Sequence, residues 1–336
     1  MKTARIAVLL LLLAACAGPT GSAQNSPTPR TPGPLGDTWT GDGATWRQHK
    51  IAGPAPRYFA ALAFDAARHV YVMFGGQTPK GTSDETWTFG DASWTLMKPA
   101  HKPPPRRDAA MAYDPARRVV VLYGGLIPDQ SEGVTASDTW TWNGVDWSDV
   151  IEQSRAPGPR EGPRMITAGN RVVLFGGRFA NLTYFGDAWT WDGATWLRID
   201  RSPTPPGRAD AAVVWDPADS SIFVYGGNGI RRGGGPGETG VPLGDAWTFK
   251  GGEWSQIAAG GPSALTVASA IWDARTGRAG VIFGIRCPNP TNENWEWDGT
   301  TWTHTQIGIP ARWGAAVAQD TDRNALVFGG SDEPGC

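Results

Sequence analysis

By type and spacing, the residues most able to do chemistry are five arginines: Arg57, Arg106, Arg160, Arg208 and Arg312 recur at roughly fifty-residue intervals, with one interval skipped, and each opens an apolar segment. A guanidinium presents a planar fork of donors that grips a carboxylate or phosphate through paired hydrogen bonds. Five of them at one place would make an anion site. Arg164 follows the third arginine closely, and Trp313 adjoins the last; both join the candidate ligand-binding set. The plainer reading is that each arginine pairs with an acid or caps a strand-end carbonyl of a neighbouring unit, and the sequence leaves both readings open. Other chemistry is thin. The four histidines, His49, His69, His101 and His304, are scattered without ligand spacing, so no metal site is expected. The glycine cluster at residues 233–240 opens no helix, so it reads as a flexible insertion, not a phosphate loop. No catalytic residue and no cofactor is expected.

The elements that must position these arginines are hairpins built on tryptophan. Residues 187–196, Asp-Ala-Trp-Thr-Trp-Asp-Gly-Ala-Thr-Trp, form a unit that recurs six times, at Asp37, Glu85, Asp138, Asp187, Asp245 and Glu293. In each copy the acid precedes a Trp by two, and a second Trp follows seven later, as in Trp87/Trp94 and Trp140/Trp147. Glycine between the paired tryptophans supplies the positive φ of a tight hairpin. Upstream of each copy lies a second hairpin, clearest at residues 106–125, where Asp114-Pro115 makes the turn and Val119 to Tyr123 reads as a strand buried on both faces. Gly-Gly pairs close that run at Gly75, Gly124, Gly176, Gly226 and Gly329. The repeat is thus four strands long, with a period close to fifty residues. Indoles at fixed spacing in every copy are assigned to packing between units, not to a sugar platform.

The first tryptophan hairpin, residues 37–49, has no inner hairpin before it, and the last inner hairpin, residues 312–330, has no tryptophan hairpin after it. Together they make one unit, which would close a ring and hide its sheet edges. The expected units are residues 57–97, 106–150, 160–199, 208–257, 262–305, and 312–330 with 37–49.

The N-terminus reads as an export signal. Lys2 and Arg5 precede an apolar run ending in Leu13-Ala14-Ala15-Cys16, too short to span a bilayer as a helix. The four residues match the bacterial lipobox, which implies cleavage after residue 15 and lipid on Cys16. The Pro-, Gly-, Ser- and Thr-rich stretch to residue 35 reads as a tether with a reach of roughly 60 Å, leaving 36–336 as the globular part. Cys287 and Cys336, 49 positions apart, are expected to form a disulfide outside the cytoplasm, worth up to about 4 kcal/mol.

Through the Pro-x-Arg starts, the Gly-Gly pairs, the acid-x-Trp and the later Trp, residues 36–336 resemble the kelch and galactose-oxidase central-domain family. The resemblance implies an all-β fold: a six-bladed kelch-type β-propeller with four-stranded blades, the last closed by the N- and C-terminal hairpins. Blade five departs from the pattern, with Leu265 in place of the arginine and Gly284-Ile285 in place of Gly-Gly. Copper chemistry of the galactose-oxidase kind needs a ligand set that this chain lacks.

In an up-and-down blade the arginines and the loops after the second strand share one face. The longest such loops are residues 126–137 and 228–244, and Arg178, Arg231, Arg232 and Arg286 add positive charge there. The expected function is a monomeric, lipid-anchored envelope protein, in the outer membrane or on the outer face of the cell membrane according to host, that binds an acidic peptide, protein or glycan at the arginine mouth. The alternative is a carbohydrate-active enzyme resembling a sugar-acid epimerase. Without Lys2 and Arg5 the chain has 28 basic against 32 acidic residues, and no basic run is interleaved with aromatics, which excludes a nucleic-acid partner.

Overall fold

A computed structural model describes residues 31–129, 133–150, 156–180, 183–230, 240–257 and 260–335. Cys16 and the expected signal segment lie outside the described residues, as do Arg231, Arg232 and Cys336.

Six four-stranded antiparallel sheets account for the repeats. Blade one runs outward through Ala61–Asp65, Val70–Phe74, Thr86–Gly90 and Ser93–Leu96, in a register that aligns Leu62, Met73, Trp87 and Leu96. The sheet closing the ring takes Ala316–Gln319 and Ala325–Phe328 from one end of the chain and Thr38–Gly41 and Trp46–His49 from the other. The innermost strands, Ala61–Asp65, Ala110–Asp114, Arg164–Ala168, Ala212–Asp216, Ser269–Asp273 and Ala316–Gln319, touch in that order, and the last returns to the first. Small residues at their starts, such as Ala60-Ala61 and Ala109-Ala110, permit that close approach around the axis.

The core lies between blades. Each of six apolar clusters draws its side chains from two adjacent blades, as when Met73 and Trp94 meet Leu326 and Phe328 across the closing seam. The second Trp of a pair crosses the seam onto an aromatic that ends the second strand of the preceding blade: Trp94 on Phe328 at 5.1 Å, Trp147 on Phe74 at 5.4 Å, Trp196 on Tyr123 at 5.3 Å and Trp254 on Phe175 at 5.0 Å between ring centroids. Such pairs contribute about 0.5–1.5 kcal/mol each beyond their buried area.

The indole N–H needs an acceptor once buried. Trp94 donates to Thr38 Oγ1 at 2.9 Å, Trp147 to Thr86 at 2.8 Å and Trp196 to Thr139 at 3.0 Å, in each case the residue after the acid of the preceding blade. In blade three that place holds Ala188, and Trp254 Nε1 is left buried without a partner. Thr86→Val, which keeps shape and removes the acceptor, is expected to cost about 1–3 kcal/mol in urea unfolding, whereas Ala188→Thr is expected to add about 1 kcal/mol. The same sign for both variants would show that the N–H acceptor is not what matters.

One boundary differs from expectation. The propeller begins at Gly33, not residue 36: Gly33 donates to Asp332 Oδ1 at 2.7 Å, Leu35 donates to Gly330 O at 2.8 Å, and Leu35 O accepts from Arg57 N at 3.0 Å. Sparse apolar content hid this, because the anchoring runs through the backbone. At the other end, Gly335 N donates to Pro288 O at 2.9 Å, beside Cys287, which is disulfide-bonded.

Candidate functional site

The five repeated arginines do not form an open anion mouth. Each is 0–1% exposed and is used up inside its own blade. Arg106 shows the pattern: Nε donates to Pro104 O at 3.2 Å, Nη1 to Gly124 O at 3.0 Å, and the two terminal nitrogens grip Asp138 at 2.6 and 2.7 Å. Arg57, Arg160, Arg208 and Arg312 repeat it with Glu85, Asp187, Asp245 and Asp37. The same acids accept the first Trp Nε1 of their hairpins, as Asp138 does from Trp140 at 2.7 Å. Each arginine therefore staples a strand start, a Gly-Gly corner and a tryptophan hairpin together. These five offer no surface to a ligand, because each guanidinium is buried and held by acceptors of its own blade.

Blade five explains its own exception. Leu265 is buried, at 1% exposure, so it offers nothing to a ligand. Its acid, Glu293, takes Arg286 instead, with Nη1 to Oε1 at 2.8 Å. Arg178 is likewise occupied, by Glu161 at 3.0 Å. Among the described residues, the positive charge of Arg178 and Arg286 is thus neutralised within the face.

Burial pushes the carboxyls of Asp37, Glu85, Asp138 and Asp245 up, but hydrogen bonds and charge from their arginines outweigh it and hold them below the usual carboxylate range. These pairs stabilise the fold above that range and lose their contribution as pH falls through it.

What the face does present begins two residues after each arginine, or after Leu265. Phe59, Asp108, Gly162, Asp210, Val267 and Gly314 all have positive φ, between 56 and 62°, a conformation costing a non-glycine residue about 1–3 kcal/mol. Their backbones link blade to blade: Phe59 N to Gly314 O at 2.8 Å, Asp108 N to Phe59 O at 2.9 Å, Gly162 N to Asp108 O at 3.0 Å and Asp210 N to Gly162 O at 2.9 Å. Among the described residues no such bond joins Val267 to either neighbour.

Inside this hoop lies the axial cavity, about 490 Å³, walled largely by alanine and other apolar residues of the inner strands, with Phe59, Asp108, Arg164 and Gly314 at the hoop end. The rim is unequal. On one side Trp313, Tyr58 and Phe59 meet edge to face or tilted, with centroids 5.1–5.5 Å apart, and Trp313 Nε1 donates to Glu333 O. On the other side stand Asp108, Glu161, Arg164, Arg178 and Asp210. Arg164 donates to Ala211 O at 2.9 Å and meets Asp210 at 3.3 Å. Asp108 is 5% exposed, and its Oδ1 has no hydrogen-bond partner. Of the expected site residues, then, Arg164 and Trp313 reach the mouth. Asp108 and Asp210 were missed, although Arg-x-Asp in blades two and four signalled them.

Burial, followed by the nearby Asp210, drives the Asp108 carboxyl well above its ordinary range, against the pull of Arg164 and Arg178. A carboxyl raised by folding binds more protons in the native state, so its contribution is full at low pH and is lost as pH rises from the ordinary carboxylate range through its own raised value. Asp108→Asn is expected to be more stable than the parent at pH 8, by about 1 kcal/mol or more, and to lose less stability between pH 5 and pH 8. Parallel pH–stability curves for the two proteins would show that Asp108 carries no such penalty.

Two-stranded ribbons rise around the mouth, each paired at its base with the residue after the arginine or, in blade five, after Leu265: Gln77 with Tyr58, Leu126 with Arg107, Arg178 with Glu161, Asn228 with Ala209 and Ile285 with Thr266. Val134 and Phe179, on two of these ribbons, are 54% and 43% exposed.

Comparison with known families finds that residues 37–200 match the KLHDC2/KLHL20/DRC7 Kelch-repeats domain. No curated protein matches the chain. The matched span covers the closing hairpin and blades one to three, and the arginine, Gly-Gly, acid and paired-tryptophan register continues, with blade five departing from it, through Gly330; the fold is a kelch-type β-propeller, similar over residues 37–200 to that kelch-repeat domain.

Proposed function

We propose that this protein is an extracytoplasmic binding scaffold, held at a bacterial envelope through lipidated Cys16 and a short tether, that recognises a protein partner with the ribbon-bearing face. Kelch propellers suit protein binding, and variable loops on a rigid ring are where such scaffolds place recognition. The observation that carries the reading is the exposure of Val134 and Phe179 around an aromatic-sided mouth, since large exposed apolar side chains grouped on one face mark an interaction surface. The opposite end has tight turns, with Val145 at 73% exposure as a natural control. A photo-crosslinking residue at position 179 is expected to capture a discrete partner in envelope fractions, and one at position 145 is not. Equal capture from both positions would remove the face from consideration. Lipidation is tested separately by the mass of the mature chain and its loss in Cys16→Ser.

One observation favours a second reading, an enzyme acting on a sugar acid. Asp108, whose carboxyl is held above its ordinary range by burial and by the nearby Asp210, stands at the cavity mouth, an arrangement that suits proton transfer. Turnover of a sugar acid abolished by Asp108→Asn would support it, and inactivity across a sugar-acid panel would dismiss it.

A further inference from the structure

Among the described residues the rim has one more carboxyl than it has cations to pair with. Among its five charged side chains, Arg178 is spent on Glu161 and Arg164 on Asp210, leaving Asp108 over. Arg107, its chain neighbour, makes no ion pair among the described residues, and Arg160 is engaged with Asp187. Asp108 Oδ1 is buried and unpartnered at the edge of an apolar cavity large enough for a side chain. A buried acceptor without a donor costs stability that a ligand donor would recover.

The neighbourhood keeps a second carboxylate within reach. A Cβ on Gly162 would lie 2.9 Å from Asp210 Oδ1, so glycine at the third position of the hoop leaves room for the Asp210 carboxylate between Asp108 and its own blade. Opposite stand Tyr58, Phe59 and Trp313, whose ring faces attract a cation through the quadrupole.

We propose that the mouth is a receptor for a cationic side chain, the ammonium or guanidinium of a lysine or arginine on the protein partner, with Asp108 as its counter-charge, Asp210 beside it, and the aromatic side of the rim against the aliphatic shaft. This rests on the binding-scaffold reading and reverses the expectation of an acidic ligand. Burial and the nearby Asp210 favour the protonated Asp108 carboxyl, and a cation entering here favours loss of that proton. Binding is therefore accompanied by proton release to buffer and tightens as pH rises toward the pKa of Asp108.

The test uses Nα-acetyl arginine amide and Nα-acetyl lysine amide as probes, with Nα-acetyl citrulline amide as the neutral isostere of the first, followed by calorimetry on the intact protein. Saturable binding of at least one cationic probe is expected, with proton release that differs between buffers of unlike ionisation enthalpy. Citrulline amide should bind at least tenfold more weakly, and Asp108→Asn should lose about ten- to hundredfold in affinity for the cation. Asp108→Glu, which keeps the charge, should retain part of it. Equal binding of arginine and citrulline amides, binding of neither cation, or undiminished affinity in Asp108→Asn would each overturn the proposal. Partner crosslinking at position 179 separates the two readings: capture that persists in Asp108→Asn, with no cation binding, leaves the scaffold standing and removes the cation site.

Discussion

Asp245→Ala is expected to destabilise the propeller by about 3–5 kcal/mol in urea unfolding, more than removal of the arginine it holds. The two partners of the pair are not equivalent. Arg208 is wholly buried, while the Asp245 side chain is 22% exposed, so water can reach the acid but not the guanidinium. An arginine cannot discharge itself by losing a proton. Without Asp245 it stays charged in the interior, supported only by Gly226 O at 3.0 Å and Pro206 O at 3.0 Å, and Trp247 loses the acceptor of its indole N–H at 2.6 Å. Arg208→Leu leaves a carboxylate that water can partly solvate, or that can take up a proton, and should cost less. Arg286→Ala in blade five, whose side chain is 40% exposed, should cost about 1 kcal/mol or less. The reverse order would mean that the staples matter through packing alone.

Removing residues 37–49 is expected to abolish cooperative folding. The deletion takes two of four strands from the closing sheet, leaves Ala325–Phe328 as an open edge, and strips Trp39 and Trp46 from the seam against blade five. It also strands Arg312, which is fully buried and holds Asp37 at 2.8 Å, and takes from Trp94 its acceptor Thr38. An exposed edge beside bared apolar surface pairs with other chains, so aggregation is the expected readout by light scattering, with no melting transition. A chain starting at residue 31 keeps Gly33 and Leu35 on their partners and should melt like the parent. If the shortened propeller melts cooperatively near the parent temperature, the closing hairpin is not what holds the ring.

The legibility of this molecule followed repetition. Paired tryptophans, Gly-Gly corners and the arginine series each recur because every blade presents the same seam and the same corner, so one explanation had to serve all copies, and it revealed four strands per unit and a ring closed by the chain ends. The same regularity misdirected the reading of the arginines. Arg106 and Asp138 are 32 positions apart and meet only because a Gly-Gly corner returns the chain beside the second strand. Five repeated cations looked like a site when they were part of the frame. At the hoop position Asp stands in two blades of six, as Asp108 and Asp210, and glycine in two others, as Gly162 and Gly314, while Trp313 has no counterpart; what distinguishes the mouth is what does not recur in every blade. Leu265 was legible as an exception but not in its meaning, since its substitute, Arg286, comes from the ribbon after the corner and not from the start of an inner strand.

The backbone hoop at the mouth has a mechanical consequence. Its four bonds run from Asp210 through Gly162, Asp108 and Phe59 to Gly314, so it is a clip with a gap, and the gap falls at blade five, where the buried arginine staple is also missing. Thermal breathing of the ring is thereby directed to one stave, and the amides of Val267 and Gly314 should exchange with deuterium ahead of those of Asp108 and Gly162. The half of the mouth that carries the carboxyl pair is clamped while the opposite sector yields. The ring can thus admit a bulky side chain by spreading at blade five, without disturbing the geometry around Asp108.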